Sequence, residues 1–192
     1  MTIFENILFS SLTTLRIGGP VRYFIPVFNA EDITSAIKKA KQENLPFIVI
    51  SGGSNLLVSD RGFDGMVIQN LITGLEEKDG ELIVGAGMDL QKLVWTANRR
   101  GIVGFSKMAG IPGSVGGAVY GNAGAYGQQI SDHLMWVEVL NPQTGEVKKL
   151  TRDKIEFSYR NSQFKRTKEI ILRIGFKIEK GDANTLARES KE

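Results

Sequence analysis

The sequence has no cysteine, and that absence closes several chemistries at once. Disulfides, thiolate metal sites, Fe–S clusters and cysteine nucleophiles are excluded. Histidine is nearly absent as well, His133 being the single one. Multi-histidine zinc sites are out, no metal site is expected, and a Ser-His-Asp triad would have to use His133 itself. Set in QISDHLMW, that residue reads as a surface or hydrogen-bonded histidine rather than a catalytic one. No apolar run nears the roughly 18 residues of a membrane span. The N-terminus, MTIFENILFSS, carries Glu5 early and no basic n-region, so it does not read as a signal peptide. A soluble, cytoplasmic protein with no membrane partner is the expectation.

What is present is ordinary globular material. The 192 residues are 42% hydrophobic and 23% charged, enough for a core in one large domain or two small ones. Two biases are local. Glycine numbers 22, well above the usual share of about 7%, and nine of them lie between Gly101 and Gly127. Residues 148–180 hold eleven Lys/Arg against four Asp/Glu, in a chain whose net charge is only +3. Such a stretch either attracts an anionic ligand by its field or forms a solvated sheet face. No aromatic-interleaved recognition motif accompanies it, so nucleic acid is not expected as a partner.

Periodicity gives the elements. VRYFIPV (21–27) alternates as a strand. From Ala30 to Glu43, Ile33, Ala36, Ile37 and Ala40 repeat at helical spacing, and Asn44 and Pro46 end the helix. FIVI (47–50) is a short continuous apolar run, hence a buried strand. SGGSN turns, LLV (56–58) resumes an extended stretch, DRGFDG (60–65) turns again, and MVIQNLI (66–72) is another strand. Asp79-Gly80 marks a hairpin within 74–87. Asp89 precedes a helix carrying Leu90, Leu93, Val94 and Ala97, with Arg99 and Arg100 in its last turn and Gly101 after it. MWVEVL (135–140) and EVKKL (146–150) flank NPQTG as a second hairpin. IILRIGFKIEK (170–180) is a last strand, with Ile170, Leu172, Ile174, Phe176 and Ile178 expected on one face. GDANTLARESKE starts a helix whose one large apolar residue is Leu186, and fraying is expected there. The expected division is 1–70, a small α/β unit, then 71–182, an α+β unit, then 183–192.

Three segments could carry chemistry. Gly52 and Gly53, within Ser51–Asn55, allow positive φ, so successive N–H groups could converge as an anion nest, with Ser54 and Asn55 adding donors. The alternative is an ordinary tight turn. No Lys-Ser/Thr follows, so this is not a Walker A loop. The stretch from Gly110 through Ile111, Pro112, Gly113, Ser114, Val115, Gly116, Gly117 and Ala118, and on to Asn122, Ala123 and Gly124, is small-sided. A flat ligand could approach its main chain, with Ser114 and Asn122 as hydrogen-bonding groups. It lacks the G-x-G-x-x-G pattern of a Rossmann site. Phe157, Tyr159 and Phe164 flank Arg160 and read as core aromatics around one buried or half-buried cation, which is also a ready carboxylate or phosphate clamp.

IVISGGSNLLVSDRGFDGMVI (48–68), KMAGIPGSVGGAVYGNAGAYG (107–127) and FSYRNSQF (157–164), after TTLRIGGPVRYFIPV (13–27), resemble the UDP-N-acetylenolpyruvoylglucosamine reductase family. The resemblance implies an α+β fold, the two-subdomain FAD-binding fold of the vanillyl-alcohol-oxidase (PCMH) type. It implies noncovalent FAD, its diphosphate on the loop of Gly52, Gly53, Ser54, Asn55, Leu56 and Leu57, with the 110–118 and 122–124 segments lining the flavin. It assigns Arg160 a catalytic role on the substrate carboxylate, with Tyr159 beside it in substrate binding. The implied reaction reduces enolpyruvyl-UDP-N-acetylglucosamine to UDP-N-acetylmuramate, a UDP-sugar chemistry of peptidoglycan synthesis and hence of cell shape and division, with NADPH as reductant. Gly121 departs from the family, where larger side chains are common. The family also continues past this chain's end into a substrate-binding domain, and nothing after Phe164 matches it. The expectation is an FAD-binding portion, prone to self-association. The alternative is a flavin-binding module without turnover.

Overall fold

The structure, a computed structural model, describes residues 1–191. Its contacts separate into two compact units, Met1–Ile72 and a second beginning at Thr73.

The first unit holds β1 (Phe4–Leu8), β2 (Pro20–Val27), α1 (Ala30–Gln42), β3 (Phe47–Ile50) and β4 (Phe63–Asn70). The strands form one sheet in the order β1-β2-β4-β3. β1 runs antiparallel to β2, while β2 and β3 both run parallel to β4. β3 is therefore an edge and only half-buried along most of its length, not the buried strand its apolar run suggests. Residues 56–58 are irregular rather than extended in a sheet, and β4 starts at Phe63, inside the expected turn. Asn29 caps α1, its Oδ1 accepting from the Asp32 amide at 2.7 Å, with Glu31 and Asp32 in the first turn and Lys39 and Lys41 in the last. The apolar stripe Ile33, Ala36, Ile37 and Ala40 is buried as its spacing predicts, and α1 contacts β2 and β4. Phe24 and Val67 join Phe9, Val21 and Ile50 in one apolar cluster. Ile25 and Ile68, next along the same strands and so on the opposite face, are fully buried as well.

The second unit contains β5 (Leu75–Lys78), β6 (Glu81–Gly85), α2 (Leu90–Arg99), α3 (Val115–Gly121), β7 (Gly124–Ala125), β8 (Gln128–Gln129), β9 (Leu134–Leu140), β10 (Val147–Thr151), β11 (Phe157–Ser158), β12 (Asn161–Ser162), α4 (Phe164–Thr167), β13 (Ile170–Lys177) and α5 (Ala183–Glu189). Five strands make an antiparallel sheet in the order β10-β9-β13-β6-β5. Asp79 and Gly80 both take positive φ at the β5–β6 turn, as the Asp-Gly pair predicts. Asp89 caps α2 through the Lys92 amide at 2.8 Å. The core gathers Leu90, Leu93 and Val94 of α2, Val115 and Val119 of α3, and Val137, Ile174 and Phe176 of the sheet. Phe105 and Phe176 meet edge to face, centroids 5.2 Å apart, and both are fully buried. That pairing adds about 0.5–1.5 kcal/mol beyond area burial.

β13 breaks the expected alternation. Its pairing with β9 shifts register between Ile171 and Arg173, and Ile171, not Ile170 or Leu172, joins Ile174 and Phe176 in the core cluster. One extra residue at a bulge moves the side chains before it to the other face. On the opposite face Trp136 lies over Gly175, donates from Nε1 to Glu81 at 2.7 Å, and carries the Lys149 ammonium 3.8 Å above its ring. Four of the eleven cations of the basic stretch are ion-paired: Lys148, Arg166, Arg173 and Lys177 meet Glu169, Glu156, Glu138 and Glu179. The solvated-face reading describes these four, and the pairs leave most of the stretch's excess positive charge in place.

α5 is docked, not frayed. Leu186 is buried, and Asn98 of α2 donates to the Leu186 carbonyl and to Ser190. Asp182 caps the helix; the Thr185 hydroxyl, then its amide, hold that carboxyl below the ordinary range. Among the described residues no helix is long and apolar enough to cross a membrane.

Two glycines are expected to respond oppositely to alanine. A Cβ at Gly121, the last residue of α3, meets nothing within 4 Å, whereas at Gly175 it would lie 2.2 Å from the Trp136 ring. Gly121→Ala should stabilise by roughly 0.5–1 kcal/mol, and Gly175→Ala should destabilise by about 1–3 kcal/mol, in urea melts followed by circular dichroism.

Candidate functional site

The loop that follows β3 is anchored at its start. Ser51 Oγ donates to the Asn70 carbonyl at 3.0 Å, and Gln69 Nε2 donates to the Ser51 carbonyl at 3.1 Å. Gly53 is buried at φ 63°, and the Thr14 amide donates to its carbonyl at 3.3 Å. A Cβ on Gly53 would sit 1.9 Å from the Leu12 carbonyl oxygen. Glycine is therefore required here by the protein's own backbone at 12–14, not by a ligand approaching from outside. Past that crossing, the amides of Gly52, Gly53, Asn55 and Leu56 donate to no group among the described residues. No acidic residue lies between Ile50 and Ser59, and Leu57 is 82% exposed. Four free N–H groups on a rigidly seated turn are the kind of donors an anion nest requires.

The glycine-rich segment is built differently. Residues 115–121 are the helix α3, which the low helix propensity of Val-Gly-Gly does not announce. Tertiary contacts impose it. The amides of Val115 and Gly116 donate to the carbonyls of Met88 and Ala86, and the Leu90 amide donates to the Gly113 carbonyl. Ser114, expected to face a ligand, is the N-cap, its Oγ accepting from the Gly117 amide at 3.1 Å. Val115 and Ala118 belong to the core, and a Cβ on Gly116 would come 2.7 Å from that of Ala86. Gln91, which the sequence reading passed over, accepts from the Gly110 amide at 3.0 Å and donates to the Met108 and Ile111 carbonyls. Ala123 donates to the Ala118 carbonyl. Gly110, Pro112, Gly117 and Tyr120 are exposed, and Gly121 and Gly124 half-exposed. Space above Gly110 and Gly121 is open. This segment keeps most of its donors for itself and offers a bare surface.

Asn122 ends α3 in the left-handed region at φ 46°. Its Nδ2 donates to Gln129 Oε1 at 2.6 Å and to the Ser158 carbonyl at 2.9 Å, rather than standing ready for a ligand. Its Oδ1 is buried with no partner among the described residues. Ser158 leads into the turn of the β11–β12 hairpin, and that turn carries Tyr159 and Arg160.

Arg160 is not the half-buried cation of an aromatic core. Tyr159 is 85% exposed and Arg160 is exposed at φ 53°, its guanidinium 5.8 Å from the Tyr159 ring centre. Of the three aromatics only Phe164 is fully buried; half-buried Phe157 stacks under Arg152 instead. Two residues at the tip of a hairpin have no neighbours on the outer side, so solvent takes the place of packing. Among the described residues Arg160 makes no ion pair, and Lys165 donates to its carbonyl at 2.7 Å. Tyr126, also passed over, is 75% exposed at φ 51° on the β7–β8 tip, with Gly127 at φ 78°. The Tyr-Gly pair between short polar and small residues was its available signal. His133 has its ring against Gly104 and near Gln128, in a packing role.

Residues 21–151 match the FAD binding domain family. The chain belongs to that family. Among curated proteins this FAD binding domain is similar to the UDP-N-acetylenolpyruvoylglucosamine reductase of Lachnoclostridium phytofermentans, at 37% identity over 95% of this chain and 61% of the relative. It is similar to that of Chlamydia felis at 40% identity over 89% and 58%. The chain thus spans about three-fifths of the length of these relatives. The crystal structure of the MurB reductase from Thermus caldophilus superposes with a TM-score of 0.82 at 31% identity, covering 100% of this chain and 67% of that one. 6-Hydroxy-D-nicotine oxidase from Arthrobacter nicotinovorans shares the fold at 17% identity, with a TM-score of 0.67 over 93% of this chain and 42% of that one. The resemblance read from the motifs is borne out, and the α+β flavin-binding fold of the vanillyl-alcohol-oxidase type with it.

Gly53→Ala is expected to destabilise the chain by at least about 1–3 kcal/mol through positive φ and collision with the Leu12 carbonyl, with or without FAD. Thermal melts in both conditions check this. Equal stability to wild type without ligand contradicts the steric assignment.

Proposed function

We propose that this chain binds FAD noncovalently and is the FAD-binding portion of a cytoplasmic reductase of peptidoglycan synthesis. The proposed reaction converts enolpyruvyl-UDP-N-acetylglucosamine to UDP-N-acetylmuramate with NADPH as reductant. The observation that carries the reading is the set of unpaired amides of Gly52, Gly53, Asn55 and Leu56 on a turn seated against 12–14. These four amides, with Ser54 and Leu57 in the same loop, suit a diphosphate because none of the four has an internal hydrogen bond to break when the anion arrives. The bare outer side of α3, Gly117 and Gly121 above all, suits a flat ring system. The buried, unpartnered Oδ1 of Asn122 supplies an acceptor to a group bearing N–H. The residues present therefore fit the cofactor.

Bound FAD supplies hydride transfer from NADPH to the enolpyruvyl group. The chain's own residues do the rest that concerns it. Exposed Arg160, unpaired and presented on a turn, matches a substrate carboxylate with two parallel N–H donors. Negative charge that builds next to that carboxylate during reduction is stabilised by the same guanidinium. Tyr159 gives the substrate a face beside it. A second reading is flavin binding without turnover.

The test is the visible spectrum of the purified chain after FAD is added and the excess removed, followed by NADPH-dependent reduction of the substrate. Retained flavin peaks are expected in both wild type and Arg160→Ala. Turnover and binding of the UDP-sugar should fall by about a hundredfold or more in Arg160→Ala. Retained flavin with no wild-type turnover selects the second reading. A colourless wild type overturns both.

A further inference from the structure

The β11–β12 hairpin is too small to set its own tip. It has two residue pairs, Phe157 with Ser162 and Ser158 with Asn161. Isolated two-stranded ribbons are marginal even when longer. Its tip also places Arg160 at φ 53°, a region sterically disfavoured for a residue with a Cβ. Something outside the hairpin holds that conformation.

Three bonds do so: Lys165 Nζ donates to the Arg160 carbonyl at 2.7 Å, and the other two reach the C-terminal end of α3. On one leg, Asn122 Nδ2 donates to the Ser158 carbonyl at 2.9 Å, one residue before Tyr159. On the other leg, Ser162 Oγ donates to the Tyr120 carbonyl at 2.7 Å. Asn122 is the more constrained partner. It is 98% buried, its second amide hydrogen goes to Gln129 Oε1, and its backbone is fixed in the left-handed region that closes the helix. Aspartate would fit the space and the backbone but would set a carboxylate against the Ser158 carbonyl.

We infer that Asn122 is a positioning residue that acts through Arg160: it clamps the hairpin to the end of α3 and holds the guanidinium ready for an anionic UDP-sugar. This rests on the proposed role of Arg160 toward substrate. Pre-set geometry spares the ligand the cost of ordering a loose turn. The same clamp ties the segment proposed to line the flavin to the residue proposed to meet the substrate.

The test uses the FAD-loaded full chain and UDP-N-acetylmuramate as probe. Asn122→Gly keeps the left-handed helix end and deletes the whole amide, including the Oδ1 proposed to face the cofactor, so flavin retention is measured alongside in every variant. It is expected to melt within a few degrees of wild type, to raise amide exchange at Tyr159, Arg160 and Asn161 at least about tenfold, and to weaken the probe's Kd about tenfold. Asn122→Asp should show the same exchange and affinity losses. In an Arg160→Ala background, Asn122→Gly should change affinity less than about twofold. Equal losses in the two backgrounds, or unchanged exchange at the hairpin tip, overturn the inference. A wild type that retains FAD but does not bind the probe refutes the substrate role of Arg160, and exchange at the tip then still decides whether Asn122 holds the hairpin.

Discussion

The contact between Gly53 and the Leu12 carbonyl governs how the first unit presents itself. A Cβ would come within 1.9 Å of that oxygen, so the chain can cross there only as glycine. The crossing, the Thr14 amide on the Gly53 carbonyl, and the Ser51 and Gln69 bonds to β4 and the loop fix the turn from three sides. Rigidity of that kind is what lets neighbouring amides remain unpaired and still stay in place. Free donors on a mobile loop would turn to water or to nearby carbonyls; free donors on a clamped turn keep their direction.

In the second unit, glycine does different work. Gly116 lets α3 lie against Ala86, and Gly117 and Gly121 strip its outer side. The donors here are consumed by Ala86, Met88, Ser114 and Gln91. One segment thus offers hydrogen bonds, and the other offers surface. Asn122 links that surface to the Arg160 hairpin. Two strained, exposed turn residues, Tyr126 and Arg160, stand at tips beyond the ends of short ribbons. Non-glycine residues held at positive φ persist only where surrounding bonds over-determine them, and such positions concentrate where ligands bind.

Much of this fold is legible in the amino-acid sequence. The stripe in α1, the Asp89 cap and the Asp79-Gly80 turn obey local rules that tertiary contacts did not override. β1 escaped because its five residues are almost wholly exposed and carry no alternation to read. α3 escaped because its stability comes from the carbonyls of Met88 and Ala86, distant in sequence, rather than from propensity. The bulge in β13 escaped because a single extra residue leaves the composition unchanged while reversing the faces. The site was legible by motif more than by physics. Gly53 takes the positive φ expected of it, but what forbids a Cβ there is the Leu12 carbonyl, which no local pattern announces, and Arg160 does not pack with the aromatics it was placed among. A residue type does not by itself fix its environment.

The most direct measurement is a pyrophosphate titration of the uniformly 15N-labelled chain, followed amide by amide. The account predicts the largest shifts at Gly52, Gly53, Asn55 and Leu56, where the N–H groups are unpaired, with little change at Val115, Gly116 and Gly117, whose N–H groups are already bonded. Largest shifts at 115–117, or none at 52–56 at millimolar pyrophosphate, would contradict it.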